Sequence, residues 1–241
     1  MRLLKKLLEN LPFRITHPIV PSVGLINYSI LTRRARNPDY KAHQGLEKCL
    51  EFQSGSVVDV GSGDGVHSVK FLENGWEVTA IDLREPDFSV NEDLLPKFTF
   101  ISENIIQIEI ETQFDLVWSS HCLEHQLNAN LFISRLISLC KPNGRIAISV
   151  PFPHRRLLGG HVSMWTPGLL LYHLAIAGVN CTEPEVILGD FEFTVIVEKI
   201  QSEVPELSYD KGDVDKLAAL LPRNYFEGGD QWGKWPLKHN S

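Results

Sequence analysis

Residues able to do chemistry gather at a few places in this 241-residue chain. In Val57-Val58-Asp59-Val60-Gly61-Ser62-Gly63-Asp64-Gly65, one acid sits inside a β-branched apolar run and a glycine-rich turn follows. Val66 to Leu72 then reads as a helix. Strand, tight turn and helix N-terminus together present backbone amides to a small ligand with a negative end. One glycine permits the turn, and another lets backbone and ligand touch with no Cβ between them. Ser119-Ser120-His121-Cys122-Leu123-Glu124-His125 forms a second polar group. His154, Arg155, Arg156 and His161 form a third. Imidazoles can move protons near neutral pH, and a guanidinium pair can clamp a phosphate or carboxylate. The plainer alternatives are histidines bonded to backbone carbonyls and a solvated surface pair of arginines.

The glycine spacing excludes the nicotinamide-dinucleotide fingerprint. That pattern needs G-x-G-x-x-G, whereas position 66 is Val and the third glycine is Gly65. D-x-G-x-G-x-G at the end of a first strand resembles the cofactor loop of class I S-adenosylmethionine methyltransferases. Further along, F-D-L-V-x-S-S-H-x-L-E-H from Phe114, then K-P-x-G-R and an apolar strand ending at Pro151, is similar to the members that act on small molecules and sugars. His161-Val162-Ser163-Met164-Trp165-Thr166-Pro167 looks like that family's segment before its last large helix. The resemblance covers about residues 56–200.

The elements that must position these groups alternate. Strands are expected at 56–60, 76–82, 98–101, 114–119 and 145–150, with helices at 64–73, 128–140 and 166–177. Lys141-Pro142-Asn143-Gly144 reads as a turn. Residues 185–188 and 191–198 read as a closing hairpin around Gly189-Asp190. This alternation predicts an α/β, doubly wound, mostly parallel sheet with one antiparallel strand at or near an edge. The resemblance implies a seven-stranded Rossmann-like sheet of order 3-2-1-4-5-7-6, strand seven antiparallel. Three segments are expected: an N-terminal helical arm at 1–55, a cofactor-binding domain at 56–200 and a C-terminal extension at 201–241. The arm carries an amphipathic helix at 2–11 with Leu3, Leu4, Leu7, Leu8 and Leu11 on one face, an irregular stretch and a helix at 41–53. The extension holds a short helix from Val214 to Leu221, then Tyr225, Phe226, Trp232 and Trp235.

In doubly wound sheets ligands bind past the carboxyl ends of the strands. The resemblance therefore implies S-adenosylmethionine as cofactor. It would lie on Asp59, Gly61, Ser62, Gly63, Asp64 and Gly65, with Asp82 and Leu83 at the ribose, Asn104 and Ile105 at the adenine, and Ser119, Ser120 and His121 after strand four. His121, His125 and His161 are the candidate catalytic histidines. His154, Arg155 and Arg156 are the candidate acceptor contacts. The sequence shows no metal-ligand spacing, so no metal is expected.

Composition limits the partners. Hydrophobic residues make up 43%, enough to bury one large domain. The net charge of −7 does not favour a long nucleic acid. Residues 1–56 carry nine Lys/Arg and four Asp/Glu, net +5, leaving −12 on the rest. Cys49, Cys122, Cys140 and Cys181 form no C-x-x-C and read as reduced packing residues of a cytoplasmic protein. The basic helix at 2–11 suits either packing on the domain or on a partner subunit of a homo-oligomer, or peripheral contact with an anionic membrane. The expected reaction is methylation of a hydroxyl on a small molecule or sugar, in surface-glycan synthesis. The alternatives are an N-methyltransferase on an amine or protein side chain, and a non-catalytic binding module on the same fold. Deleting residues 1–10 is expected to leave cofactor affinity intact while changing membrane association or oligomer size, read by calorimetry, vesicle sedimentation and light scattering. A collapse of cofactor affinity would instead make this segment part of the core or a cover over the site.

Overall fold

The computed structural model describes residues 40–84, 90, 92–154, 156 and 158–223. The helix expected at 2–11, almost all of the arm that follows it, Arg155 and the aromatic residues 225–235 lie outside the described residues. In chain order the elements are α1 (His43–Leu50), β1 (Ser56–Val60), α2 (Val66–Glu73), β2 (Glu77–Asp82), β3 (Phe98–Ser102), β4 (Phe114–Ser120), α3 (Ala129–Leu139), β5 (Cys140–Pro151), α4 (Pro167–Ile176), β6 (Glu185–Leu188), β7 (Glu192–Glu198) and α5 (Asp213–Lys216).

The strands form one seven-stranded sheet of order β3-β2-β1-β4-β5-β7-β6. The pairs β1–β2, β1–β4, β2–β3 and β4–β5 are parallel, and β7 runs antiparallel to both β5 and β6. The expected order and the antiparallel strand are both present. The two-residue period of each strand sends successive side chains to opposite faces. Val58, Val117, Ile146 and Ile148 enter one core with α3 and α4, which contribute Phe132, Leu136, Leu170 and Leu174. Val57, Leu116, Trp118 and Ala147 enter the other, with Leu46 of α1 and Phe71 and Leu72 of α2. Leu217, Leu220 and Leu221 join the first core. Strands buried on both faces are what a parallel sheet with crossover helices requires.

Several elements differ locally from expectation. The turn at 141–144 is a bulge inside a longer β5: Phe114 pairs with Cys140, then Leu116 with Arg145, while Asn143 takes a left-handed φ of 61°. Extra residues on one strand are absorbed this way without ending the ladder. A 3-10 stretch at Glu92–Lys97 precedes β3, and another at Leu123–His125 follows β4. Neither is long enough to show a helical period. The last helix shortens to Asp213–Lys216, where the Asp213 carboxylate accepts the backbone amides of Ser208, Tyr209 and Asp210. That carboxylate has turned the chain by capping it, which propensity alone does not reveal.

Helix α1 sits on the sheet through Gly45. A Cβ built there would lie 2.1 Å from Thr194 Oγ1 and 2.7 Å from Thr194 Cβ on β7. Gly45→Ala gains about 1 kcal/mol in helix propensity but must displace a β-branched side chain in a packed layer, at about 1–3 kcal/mol. We expect a net loss of up to about 2 kcal/mol, seen as a lower denaturant midpoint at unchanged m-value.

Candidate functional site

The glycine loop closes β1 onto β2 at their carboxyl ends. The amides of Gly61 and Ser62 both donate to the Ile81 carbonyl, at 2.8 and 3.3 Å. The Gly63 amide donates to Asp82 Oδ2 at 2.9 Å, and Asp82 Oδ1 accepts the Arg84 amide at 3.2 Å. Loop and acid therefore meet directly at the strand ends. Gly61 and Gly63 have φ of +77° and +54°. A Cβ at Gly61 would strike Cys122 Sγ at 2.8 Å, whereas one at Gly63 would meet nothing within 4 Å among the described residues. Gly61 is thus fixed by packing, and Gly63 borders open space.

Asp59 lies behind this loop. Its side chain is 1% exposed, and its Oδ2 accepts the Ser68 hydroxyl of α2 at 2.6 Å. Burial pushes its carboxyl up to about 7, against the opposing pull of the Ser68 hydrogen bond. Ser62 Oγ is buried and has no hydrogen-bond partner among the described residues. Ser119 donates to the Val60 carbonyl at 3.1 Å, so its hydroxyl is committed to the sheet. Ser120 is buried beside it. Asn104 Oδ1 accepts the Ile106 amide at 2.9 Å in a local turn. Ile105 is a core side chain, and Leu83 is 69% exposed. Asp64 and Gly65 complete the turn, with Gly65 N–H donating to the Ser62 carbonyl at 2.8 Å.

His121 ends β4 in a left-handed conformation, φ +52°. Its Nδ1 stands 3.4 Å from Glu124 Oε1, and its Nε2 stands 3.5 Å from Glu192 Oε2. Burial alone would lower the imidazole pKa; the two carboxylates outweigh it and raise it. Glu192 shows the converse: burial would raise it, and His121 together with the Ala42 amide holds it low. Both ring nitrogens thus face carboxylates, which favours the protonated form of the ring. Glu124 and Glu192 are the partners that sequence reading missed. Glu124 stood inside the quoted motif, but Glu192 gave no local signal.

His67, also missed, sits on α2. It accepts the Trp118 indole N–H at Nδ1, 3.2 Å away, and its Nε2 faces the Lys41 carbonyl at 2.8 Å. Burial lowers its pKa to about 4, so it is neutral and ties the entry of α1 to the sheet.

A cavity of about 320 Å³ opens beyond β4 and β5. Glu124, His154, Arg156 and His161 supply its polar wall, and Phe152 and Trp165 its apolar one. His154 Nδ1 accepts the Arg156 amide at 2.9 Å. The imidazoles of His125 and His161 meet edge to face, with centroids 4.8 Å apart. The structure thus brings His125, His154, Arg156 and His161 to one edge and separates His121 from them by Glu124.

The chain matches the "Methyltransferase domain" family over residues 33–176, more than half its length. It is 29% identical over 97 residues to the ubiquinone biosynthesis O-methyltransferase of Rickettsia akari (strain Hartford), 39% of each chain. To the chloroplastic tocopherol O-methyltransferase of Arabidopsis thaliana it is 33% identical over 125 residues, 47% of this chain and 35% of that one. The matched stretch spans about two fifths of the length of such curated relatives. In fold it resembles the Burkholderia thailandensis 1,6-didemethyltoxoflavin-N1-methyltransferase solved with S-adenosylhomocysteine. The TM-score there is 0.53 at 19% identity, covering 73% of this chain and 89% of that one. A SAM-dependent methyltransferase from Aquifex aeolicus gives a TM-score of 0.51 at 18% identity, covering 73% and 100%.

The residues present fit S-adenosylmethionine: open space in front of Gly63, an orphaned Ser62 hydroxyl and an acid at the end of β2 facing the loop.

Asp59 generates a pH prediction. Its folded pKa of about 7 lies above the model-compound value of 3.8, so the folded state holds the proton more tightly. Its favourable contribution is complete below pH 3.8 and is lost as pH rises to about 7. Over that window the wild type should lose up to about 4 kcal/mol relative to Asp59→Asn, at ~1.4 kcal/mol per unit. Denaturant titrations at several pH values check it; parallel curves for the two proteins would refute it.

Together, the sheet order, the loop facing the acid and the match over more than half the chain establish that this protein belongs to the methyltransferase-domain family.

Proposed function

We propose that the chain is an S-adenosylmethionine-dependent methyltransferase acting on a hydroxyl of a small molecule or sugar. The observation that carries this reading is the cavity beside the end of β4, with His161 and Glu124 in its wall. Both curated relatives described above are named as O-methyltransferases, which supports the same choice.

The work of this chain's residues follows from the geometry. The side of the loop at Gly63 suits the amino-acid end of the cofactor, and Asp82 can exchange its hydrogen bond from the Gly63 amide for those of a ribose diol. When bound, S-adenosylmethionine supplies a methyl group on a sulfonium whose sulfur leaves neutral, so no acid is needed on that side. The acceptor hydroxyl must lose its proton, and the His161 imidazole in the cavity wall is suited to take it. Phe152 and Trp165 exclude water from the same space. Arg156 and His154 at the wall suit an acceptor carrying a carboxylate or phosphate. His121, between Glu124 and Glu192, fixes the segment that separates cofactor crevice from acceptor cavity.

Cytoplasmic placement, with peripheral contact through residues 2–11, belongs to the same proposal and rests on the sequence. No helix among the described residues is long and apolar enough to cross a membrane.

An amine acceptor would need less help from a base. The test is label transfer from radioactive S-adenosylmethionine to matched hydroxyl and amine acceptors, each with an anionic group. Hydroxyl acceptors should be methylated preferentially. His161→Gln should lower kcat by about 100-fold or more while leaving the KM for the cofactor unchanged. Preferential amine methylation, with His161→Gln fully active, would overturn the reading.

A further inference from the structure

Glu124, His125 and His161 each offer a ligand atom, all within 4.8 Å of one another. The sequence hid this group, because His161 lies 36 residues beyond His125 with no motif joining them. Three features make it more than a chance cluster.

The first is the state of His125. Its Nδ1 lies 2.8 Å from the Gly160 carbonyl. A carbonyl can only accept, so Nδ1 is the donor here, which leaves Nε2 as the ring nitrogen available to a metal ion. A ring oriented by a backbone carbonyl is how metal-binding histidines are held.

The second is Glu124. Its side chain is 1% exposed, and it lines the cavity. Neither carboxylate oxygen has a hydrogen-bond donor among the described residues. Oε1 stands 3.4 Å from His121 Nδ1 and 3.8 Å from His125 Nε2, beyond good hydrogen-bond length. His121 is shared with Glu192, so this buried carboxylate has no close donor of its own among the described residues, and a cation at the cavity would complete its compensation.

The third is the backbone that carries His161. The amides of Val162 and Ser163 donate to the Glu124 carbonyl at 2.9 and 3.3 Å, so the loop is tied to the residue it faces. Gly160 turns that loop at φ +81°, and a Cβ there would lie 3.0 Å from His125 Nδ1. The position must be glycine for the ring to keep its place.

We propose that Glu124, His125 and His161 bind a divalent transition-metal ion of the zinc class. Two imidazoles and one carboxylate suit such an ion, whereas Mg²⁺ and Ca²⁺ prefer all-oxygen sites. With bonds of about 2.0–2.2 Å in a tetrahedron, ligand atoms lie about 3.4 Å apart. Closing the site therefore needs an inward swing of about 1 Å by the half-exposed imidazoles of His125 and His161. Three protein ligands leave a position facing the cavity. There the ion would hold an acceptor oxygen and favour its anion, with the proton released to water; His161, as a ligand, would then act through the ion instead of taking the proton itself. This last role rests on the hydroxyl-methylation reading; binding of the ion does not.

The test uses the full chain after chelator treatment and dialysis. Zn²⁺ is titrated calorimetrically, and Co²⁺ is followed by its visible absorption. One equivalent of each should bind, with Co²⁺ bands of four- or five-coordinate intensity. Millimolar Mg²⁺ should not displace either ion. His125→Gln and His161→Gln should each weaken Zn²⁺ binding at least about tenfold and alter the Co²⁺ spectrum. Gly160→Ala should weaken it by a similar factor through the His125 ring, and His43→Gln, on α1, should not. Thermal unfolding of each variant shows that it is folded. No stoichiometric binding by the wild type, or binding that the His125 and His161 variants leave unchanged, overturns the proposal. Because these readouts need no acceptor, a site that binds metal in an enzyme that prefers amines would refute the hydroxyl reading alone.

Discussion

The hydrogen bond from the Gly63 amide to the Asp82 carboxylate is the constraint on which the site depends. It forms because β1 and β2 are parallel neighbours in register, Val60 opposite Ile81, so the loop after one strand and the last residue of the other end side by side. The Ile81 carbonyl takes the two preceding loop amides, of Gly61 and Ser62, and locks the turn over the strand ends. Behind the loop, Asp59 reaches α2 through Ser68, so strand, loop and helix move as one body. The Gly63 amide and the Asp82 carboxylate are thus held in direct contact at the strand ends. A ligand with its own amine and diol can exchange into those hydrogen bonds.

A second polar layer runs along the same edge of the sheet. His121 joins Glu124 after β4 to Glu192 at the start of β7, and Glu192 holds the Ala42 amide at the entry of α1. His67 holds the Lys41 carbonyl of that same entry. The segment before α1 is thus anchored from two elements at the edge where ligands bind. Such a network stays intact only while each charge has its partner, because the low-dielectric surroundings make an unpaired group expensive. Its cost falls on the site, and the two apolar cores on either face of the sheet supply the stability that carries it.

Much of this was legible in the order of residues. Glycine spacing and β-branched runs are local signals, and they located β1, the loop and Asp82. Alternation along each strand foretold a sheet buried on both faces. What sequence could not show were contacts between distant residues of ordinary type. Glu192 meets His121 only because β7 inserts antiparallel beside β5. His161 meets His125 only because a glycine turn places the Gly160 carbonyl on its ring. The bulge after Cys140 was half legible: Asn143-Gly144 marked a change of direction, but the ladder continuing past it is a property of the paired strand. Ser119 reads as a ligand contact from its position and is a sheet tie in space, since its hydroxyl meets the Val60 carbonyl first. Residue type and position limit what a side chain can do; its nearest partner decides what it does.

The most direct measurement is a calorimetric titration of S-adenosylhomocysteine into the wild type and Asp82→Ala, with thermal unfolding of both. The account predicts one-to-one binding by the wild type and affinity weaker by at least about tenfold in the variant, which still unfolds in one cooperative transition. Equal affinity in the two proteins, or no binding to the wild type, would contradict it.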